Sequence, residues 1–218
     1  MKIRINITVN KAIQVMLFYL FFVVLSTALF GPIFAVFITE SITGATLRTV
    51  GFAIALYGIA KSVLQIPTAR FLDRHKGERD DFYALMVGAS VAVAYPLGLV
   101  FVSEIWHLYA LEVLAGLGDA LLMAAYYSLF ARHVDKGSEG FEWSLFSVGG
   151  LTISSSIGVA VGGIIAELFG FRFLFSISTI INFAVLFALF YLYPLLDGAR
   201  PQALPPFSPL PKNPTNKN

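Results

Sequence analysis

The sequence predicts an all-α integral membrane protein of six transmembrane helices, on three observations. The 218 residues are 57% hydrophobic and only 13% charged, with a mean hydropathy of +0.78, whereas a soluble domain carries about 25% charged residues. Six mostly apolar runs each reach the roughly 20 residues that a helix needs to cross a bilayer. Lys and Arg are divided unequally between alternate loops, as in polytopic membrane proteins. A net charge of +2 supplies no basic surface for phosphate, so no nucleic-acid partner is expected. Without cysteine there is no disulfide scaffold, thiolate metal site or cysteine nucleophile.

The runs fall near 13–38, 47–67, 82–102, 107–131, 144–168 and 172–193. The first follows Lys2, Arg4 and Lys11 and contains Ser26-Thr27-Ala28, which resembles a signal-peptide cleavage site. Its apolar stretch continues through Phe30, Ile33 and Val36 to Ile38, too far for a signal core, so it is read as a retained span. The transmembrane domain is then 13–193, after a 1–12 cytoplasmic N-terminus and before a 194–218 flexible cytoplasmic tail that holds most of the ten prolines.

Lys2, Arg4, Lys11, Arg70, Arg74, Lys76, Arg79, Arg132, Lys136, Arg200, Lys212 and Lys217 all lie on one side of this topology, against Arg48 and Arg172 on the other. Both termini are therefore expected in the cytoplasm, in a plasma or inner membrane.

A short pattern occurs twice. After the second run the chain reads Ala69-Arg70-Phe71-Leu72-Asp73-Arg74-His75-Lys76-Gly77-Glu78-Arg79, and after the fifth Gly163-Ile164-Ile165-Ala166-Glu167-Leu168-Phe169-Gly170-Phe171-Arg172. Each has a small residue, spacers, an acid, then glycine, spacer, arginine. Asp73 and Glu167 stand 94 positions apart, about the distance between the starts of the first and fourth runs. Three helices are read as repeated, and because three is odd the second copy must be inverted, a 3+3 inverted repeat.

With these features the chain resembles the N-terminal six-helix half of the major facilitator superfamily over about residues 13–193. Asp73, Arg74 and Gly77, with Arg79 more loosely, match the family's signature loop between helices two and three. Ala69 stands where the loop begins with glycine, and one extra residue shifts Gly77. Leu114-Ala115-Gly116-Leu117-Gly118 resembles its glycine-rich fourth helix, and Gly162-Gly163 through Phe175 its passage from helix five to six.

Two departures count against a standard drug exporter. Glu112 stands where many proton-coupled members have arginine, and the fifth run has no glycine-proline. A complete member has twelve helices in two halves. A homodimer, or a heterodimer with a separate second half, would rebuild that arrangement; a truncated sequence is the bland alternative.

Charges at membrane depth cost roughly 2.5–3.5 kcal/mol each on insertion scales, so each is a candidate site. Glu112 and Asp119 are seven residues apart in the fourth run and share a helical stripe with Gly116. The resemblance implies that this stripe faces a central cavity, where a carboxylate binds a cationic group or carries a coupling proton; the competing reading is a structural pair. Lys61, in the second run, either pairs with one of them or extends to the interface, the cheaper explanation.

For Asp73, Arg74, Gly77 and Arg79 the resemblance implies a gating loop against the opposite half, near Trp143 and Ser144 of a partner copy; the plain alternative is an ordinary positive-inside loop. Gly150, Ser154, Gly158, Gly162 and Ala166 form a small-residue stripe suited to close helix packing, either as a dimer seam or within the six-helix unit. Gly31-Pro32 should kink the first helix. His75, His107 and His133 fall in loops or at helix ends without ligand spacing, so no metal and no cofactor is expected.

The expected function is secondary active transport of a small solute by alternating access, as symport or antiport, with proton coupling and no enzymatic activity. The alternative is a non-transporting interaction or regulatory protein derived from a transporter half. An intramembrane serine protease is disfavoured because no histidine lies at membrane depth to activate Ser154, Ser155 or Ser156. No phosphate-binding loop suggests an ATP-driven pump.

Overall fold

A computed structural model describes residues 9–74 and 77–196. Lys2, Arg4, His75, Lys76 and nearly all of the 194–218 tail lie outside the described residues. The chain forms six helices long and apolar enough to cross a membrane: α1 (Lys11–Ser41), α2 (Leu47–Arg74), α3 (Arg79–Phe101), α4 (Ile105–His133), α5 (Glu139–Phe169) and α6 (Phe171–Leu196). There is no strand among the described residues.

Each helix begins and ends where the local chemistry allows. Asn10 caps α1, its side chain accepting from the Ile13 N–H at 2.9 Å. Pro32 has no N–H to continue the ladder, and α1 tightens there into a single 3-10 turn at Gly31–Ile33 before resuming at Phe34. The expected kink site is thus a real discontinuity. Residue 170 alone connects α5 to α6, and Gly170 takes φ +80, a left-handed conformation that side chains disfavour. α2 runs past the 67 expected from hydropathy to Arg74, so the Ala69–Arg74 motif is its last helical turns rather than a loop. Within α5, Leu145–Ile153 widens to π-type hydrogen bonding, with Gly149 and Gly150 in its middle.

α4 is the central helix: half of its apolar window is buried, against 17% for α2. It packs on α2 and α3, while α1 packs on α5 and α6, and α3 meets α6. Exchanging α1 with α4, α2 with α5 and α3 with α6 maps this set of contacts onto itself.

Glycine permits the close approaches. A methyl group on Gly88 would lie 2.6 Å from the Gly118 carbonyl of α4. Gly158 faces the Leu25 carbonyl of α1 at 2.5 Å from its missing Cβ, and Gly162 abuts the Leu29 backbone still more closely. Gly150 abuts Leu20, and Ser154 is buried with its hydroxyl donated to the Gly150 carbonyl of its own helix. The small-residue stripe of α5 therefore meets α1 inside the six-helix unit.

Two apolar clusters fill the bundle, one around Ile13, Leu85, Tyr126 and Phe130 at one end, the other around Phe30, Phe37, Leu108 and Phe175 at the other. Some polar groups inside are paired between helices. Ser26 of α1 donates to the Ser178 carbonyl of α6 at 3.1 Å and Ser178 returns a bond to the Ser26 carbonyl at 3.3 Å. Large apolar side chains on the outside, such as Ile59, Val63, Ile66, Val161 and Ile164, suit contact with lipid or another helix rather than water.

Candidate functional site

Glu112, Gly116 and Asp119 do lie along one stripe of α4, and both carboxylates line the same cavity of about 550 Å³. Its walls come from α1 (Val23, Thr27, Phe34), α2 (Ile54, Tyr57), α3 (Val91, Tyr95), α4 and α6 (Asn182). The lining is mainly apolar, with a few polar groups converging on it, the usual make-up of a small-molecule site.

The two carboxylates are served differently. Asp119 Oδ2 accepts the Tyr57 hydroxyl at 2.5 Å and meets Lys61 Nζ at 2.6 Å. Lys61 also stands 5.8 Å over the Tyr57 ring, within cation–π range. Of the two placements open to Lys61, the structure has the ion pair rather than the reach to the interface. The reason is the backbone approach at Gly116: a Cβ there would lie 3.1 Å from the Lys61 amide and 3.0 Å from Ala60 Cβ, so α2 passes close enough for Lys61 to find Asp119. Glu112 is buried, accepts the Tyr95 hydroxyl at 2.7 Å, and has no cation within ion-pair distance among the described residues.

Four polar side chains at this site escaped the sequence reading: Thr27, whose hydroxyl donates to the Val23 carbonyl of its own helix, Tyr57, Tyr95 and Asn182. Tyr57 sits one helical turn before Lys61, a spacing that places both on one face of α2. Asn182 is a lone amide in an apolar run, a signal as strong as that of an intramembrane charge.

At the end of the bundle where α2 meets α3, Asp73, Arg74, Gly77 and Arg79 are all exposed. Behind them lies a network that sequence reasoning also missed. Arg132, in the last turn of α4, bonds buried Asp81 in the first turn of α3 at 2.6 Å and reaches the Gly77 carbonyl at 3.4 Å. Asn10 donates to the His133 carbonyl at 2.5 Å and to Asp135 at 3.1 Å. Glu142 at the start of α5 accepts from the Asp135 amide at 3.2 Å. These bonds tie α1, α3, α4 and α5 together at one end. No group of three or more metal-ligating side chains occurs among the described residues.

A six-helix bundle with a charged cavity along its fourth helix is what the resemblance implied, and the family model for the Major Facilitator Superfamily matches residues 16–216. The chain belongs to this superfamily. Six spanning helices are consistent with a half-size member, and the membership implies an integral multi-pass protein that moves a solute across a membrane. Members of the superfamily are transporters rather than enzymes. A search of curated proteins finds no match.

Proposed function

We propose that the chain carries a small solute by alternating access, coupled to protons, as a homodimer or with a second six-helix unit. One observation carries the reading: two carboxylates face a single cavity, and among the described residues only one has a counter-cation. A buried carboxylate without a cation is costly. Glu112 therefore needs either a proton or a cationic group from the solute, and exchanging one for the other is coupling in its simplest form. Asp119 contributes differently, because a cation reaching it competes with Lys61. Displacing Lys61 would loosen α2 from α4 at the level of the cavity.

The contact symmetry of the bundle, in which α1, α2 and α3 take the places of α4, α5 and α6, supports the 3+3 repeat. With both termini in the cytoplasm, exposed Asp73, Arg74, Gly77 and Arg79 would meet the start of α5 in the opposite unit. The exposed apolar faces of α2 and α5 fit the same arrangement. The small-residue stripe does not supply that seam, since α1 already covers it.

The test is proteoliposomes loaded with a pH-sensitive dye and challenged with a panel of small solutes. Proton movement that depends on one solute, and disappears in Glu112→Gln, is the expected result. Equal proton movement in both proteins would remove Glu112 from the coupling. If no solute moved protons or was itself taken up, while deletion of the chain silenced another transporter, the regulatory alternative would replace this reading. Native mass spectrometry in nanodiscs separates one copy from two.

A further inference from the structure

α2 has one main neighbour inside the unit. It packs on α4 through the side that carries Tyr57 and Lys61. Half a turn away, Arg48, Phe52, Ala55, Ile59, Ser62 and Ile66 follow one another at steps of four and three, and all six are exposed. That is the spacing of a seam that meets one partner helix. An apolar face suits lipid as well as protein, so the spacing alone names no occupant. The ends of the seam do. Arg48 begins it, and Arg70 and Arg74 lie exposed at its other end beside Asp73. None of these arginines has an ion-pair partner among the described residues.

α5 carries the complement. Its Gly150, Gly158 and Gly162 face α1, but on the opposite side Thr152, Ser156, Ala160, Gly163 and Glu167 form a second stripe, all exposed. A Cβ on Gly163 would meet nothing within 4 Å, so no contact inside the unit requires that glycine. Where α2 is bulky, α5 is small. Where α2 ends in arginine, α5 ends in an acid: Glu167 lies at the end of the bundle shared with Arg48, and exposed Glu139 at the end shared with Arg74. Arg48 and Arg74 are 26 residues apart and Glu139 and Glu167 are 28 apart. At the helical rise these are spans of about 39 and 42 Å, so the opposite charges fall at matching heights.

We infer that the second six-helix unit is another copy of this chain, seated with α2 of each copy along the outer stripe of α5 of the other, and that Arg48 of one copy pairs with Glu167 of its partner. Six spans give both copies the same orientation, and a twofold axis along the membrane normal makes the two α2–α5 contacts equivalent. A different second unit would have to reproduce these charges, whereas a second copy has them already. The inference rests on the transport reading, between whose two arrangements it chooses. It adds a contact at the end of the bundle remote from Asp73 and Arg79.

The chain has no cysteine, so Arg48→Cys and Glu167→Cys each carry a single thiol. Both positions are exposed, and neither change disturbs the interior. The two full-length variants, bearing different affinity tags, are mixed, reconstituted in liposomes and treated with a short bismaleimide. A cross-linked pair holding both tags is expected for Arg48→Cys with Glu167→Cys, and almost none for either variant with itself. Like residues stand on opposite sides of the twofold axis, whereas random collision joins all three combinations equally.

Energy transfer between fluorescently tagged copies diluted in lipid then measures the dimer dissociation constant. Arg48→Glu and Glu167→Arg should each raise it about tenfold, the scale of two exposed ion pairs lost. The double variant Arg48→Glu/Glu167→Arg restores opposite charges across the seam and should return to within about twofold of the wild type. Equal cross-linking in all three combinations, no cross-linking at all, or a double variant as weak as the singles would overturn the inference. Solute flux by this chain together with a separate six-helix unit would then leave the transport reading standing. A cross-linked dimer that moves no solute would do the reverse.

Discussion

Asp119 and Glu112 are the same chemistry on the same stripe of one helix, yet the fold treats them differently. Asp119 faces α2, which approaches α4 closely along Gly116 and brings Tyr57 and Lys61 onto a single carboxylate oxygen. Glu112 faces α3, which offers one neutral hydroxyl from Tyr95. A carboxylate paired with an ammonium is a structural link that a ligand can break. One with only a neutral donor still needs a positive charge from outside the bundle. Neighbouring helices, more than depth in the membrane, set this difference.

Glu112→Gln tests the difference most severely. The amide still accepts from Tyr95 but cannot hold a proton for release or attract a cation. Proton-driven uptake in proteoliposomes is expected to fall to the level of empty vesicles, while thermal unfolding of the purified protein changes little. If uptake survives and the melting point falls, the roles of the two carboxylates are reversed. Asp119→Ala should do the opposite in kind, because it leaves the Lys61 ammonium stranded. The pair is partly exposed, with side chains at 30% and 22%. The expected loss is therefore about 2 kcal/mol, below the roughly 3–5 kcal/mol of a fully buried pair. Lys61→Met/Asp119→Leu should recover most of it in the same unfolding assay, as removing both charges leaves neither unpaired.

How much of this was legible beforehand follows from what sequence patterns encode. Six apolar runs, the kink at Pro32 and the pairing of Glu112 with Asp119 on one stripe all depend on spacing along a single helix. Spacing does not say which helix passes in front of the stripe, so Lys61 stood open between an ion pair and the interface until the Gly116 contact brought it to Asp119. Helix ends were misjudged for a related reason: Ala69–Arg74 is polar enough to look like a loop but continues α2 to the level of the α3 start. Tyr57 and Tyr95 went unseen because a tyrosine hydroxyl barely disturbs hydropathy; Asn182 does disturb it, but an uncharged amide was not counted among the charges at membrane depth. The bond from Asn182 to the Ala92 carbonyl, four residues before Pro96 on another helix, likewise has no local pattern. The Arg132–Asp81 link is a contact between residues 51 apart, invisible to any local pattern.

Gly116→Ala sharpens the comparison by acting on one carboxylate through the backbone. Its methyl group would collide with the Tyr57 carbonyl and press on Ala60 and the Lys61 amide. That pushes α2 away from α4, a cost of about 1–3 kcal/mol by analogy with overpacked cores. Asp119 should lose its partners while Tyr95 and Glu112 stay together. The variant should therefore resemble a mild Lys61→Met in stability, with proton coupling retained. Loss of coupling instead would mean that the two carboxylates act as one unit.

The finest test compares two hydroxyls. Interhelical hydrogen bonds in membranes are worth about 0.6 kcal/mol on average and up to about 1.7 kcal/mol. Tyr57→Phe should fall near the lower figure, because Lys61 still serves the same oxygen of Asp119. Tyr95→Phe should fall near the upper one, because it removes the only protein donor that Glu112 has among the described residues. Measured side by side by thermal unfolding, equal losses would mean that Glu112 finds another partner, a water or a lipid headgroup, and that the two carboxylates are less different than their helices make them. A larger loss for Tyr95 than for Tyr57 would show that Glu112 depends on a single neutral donor, which leaves its charge to be met by a proton or by a cationic group.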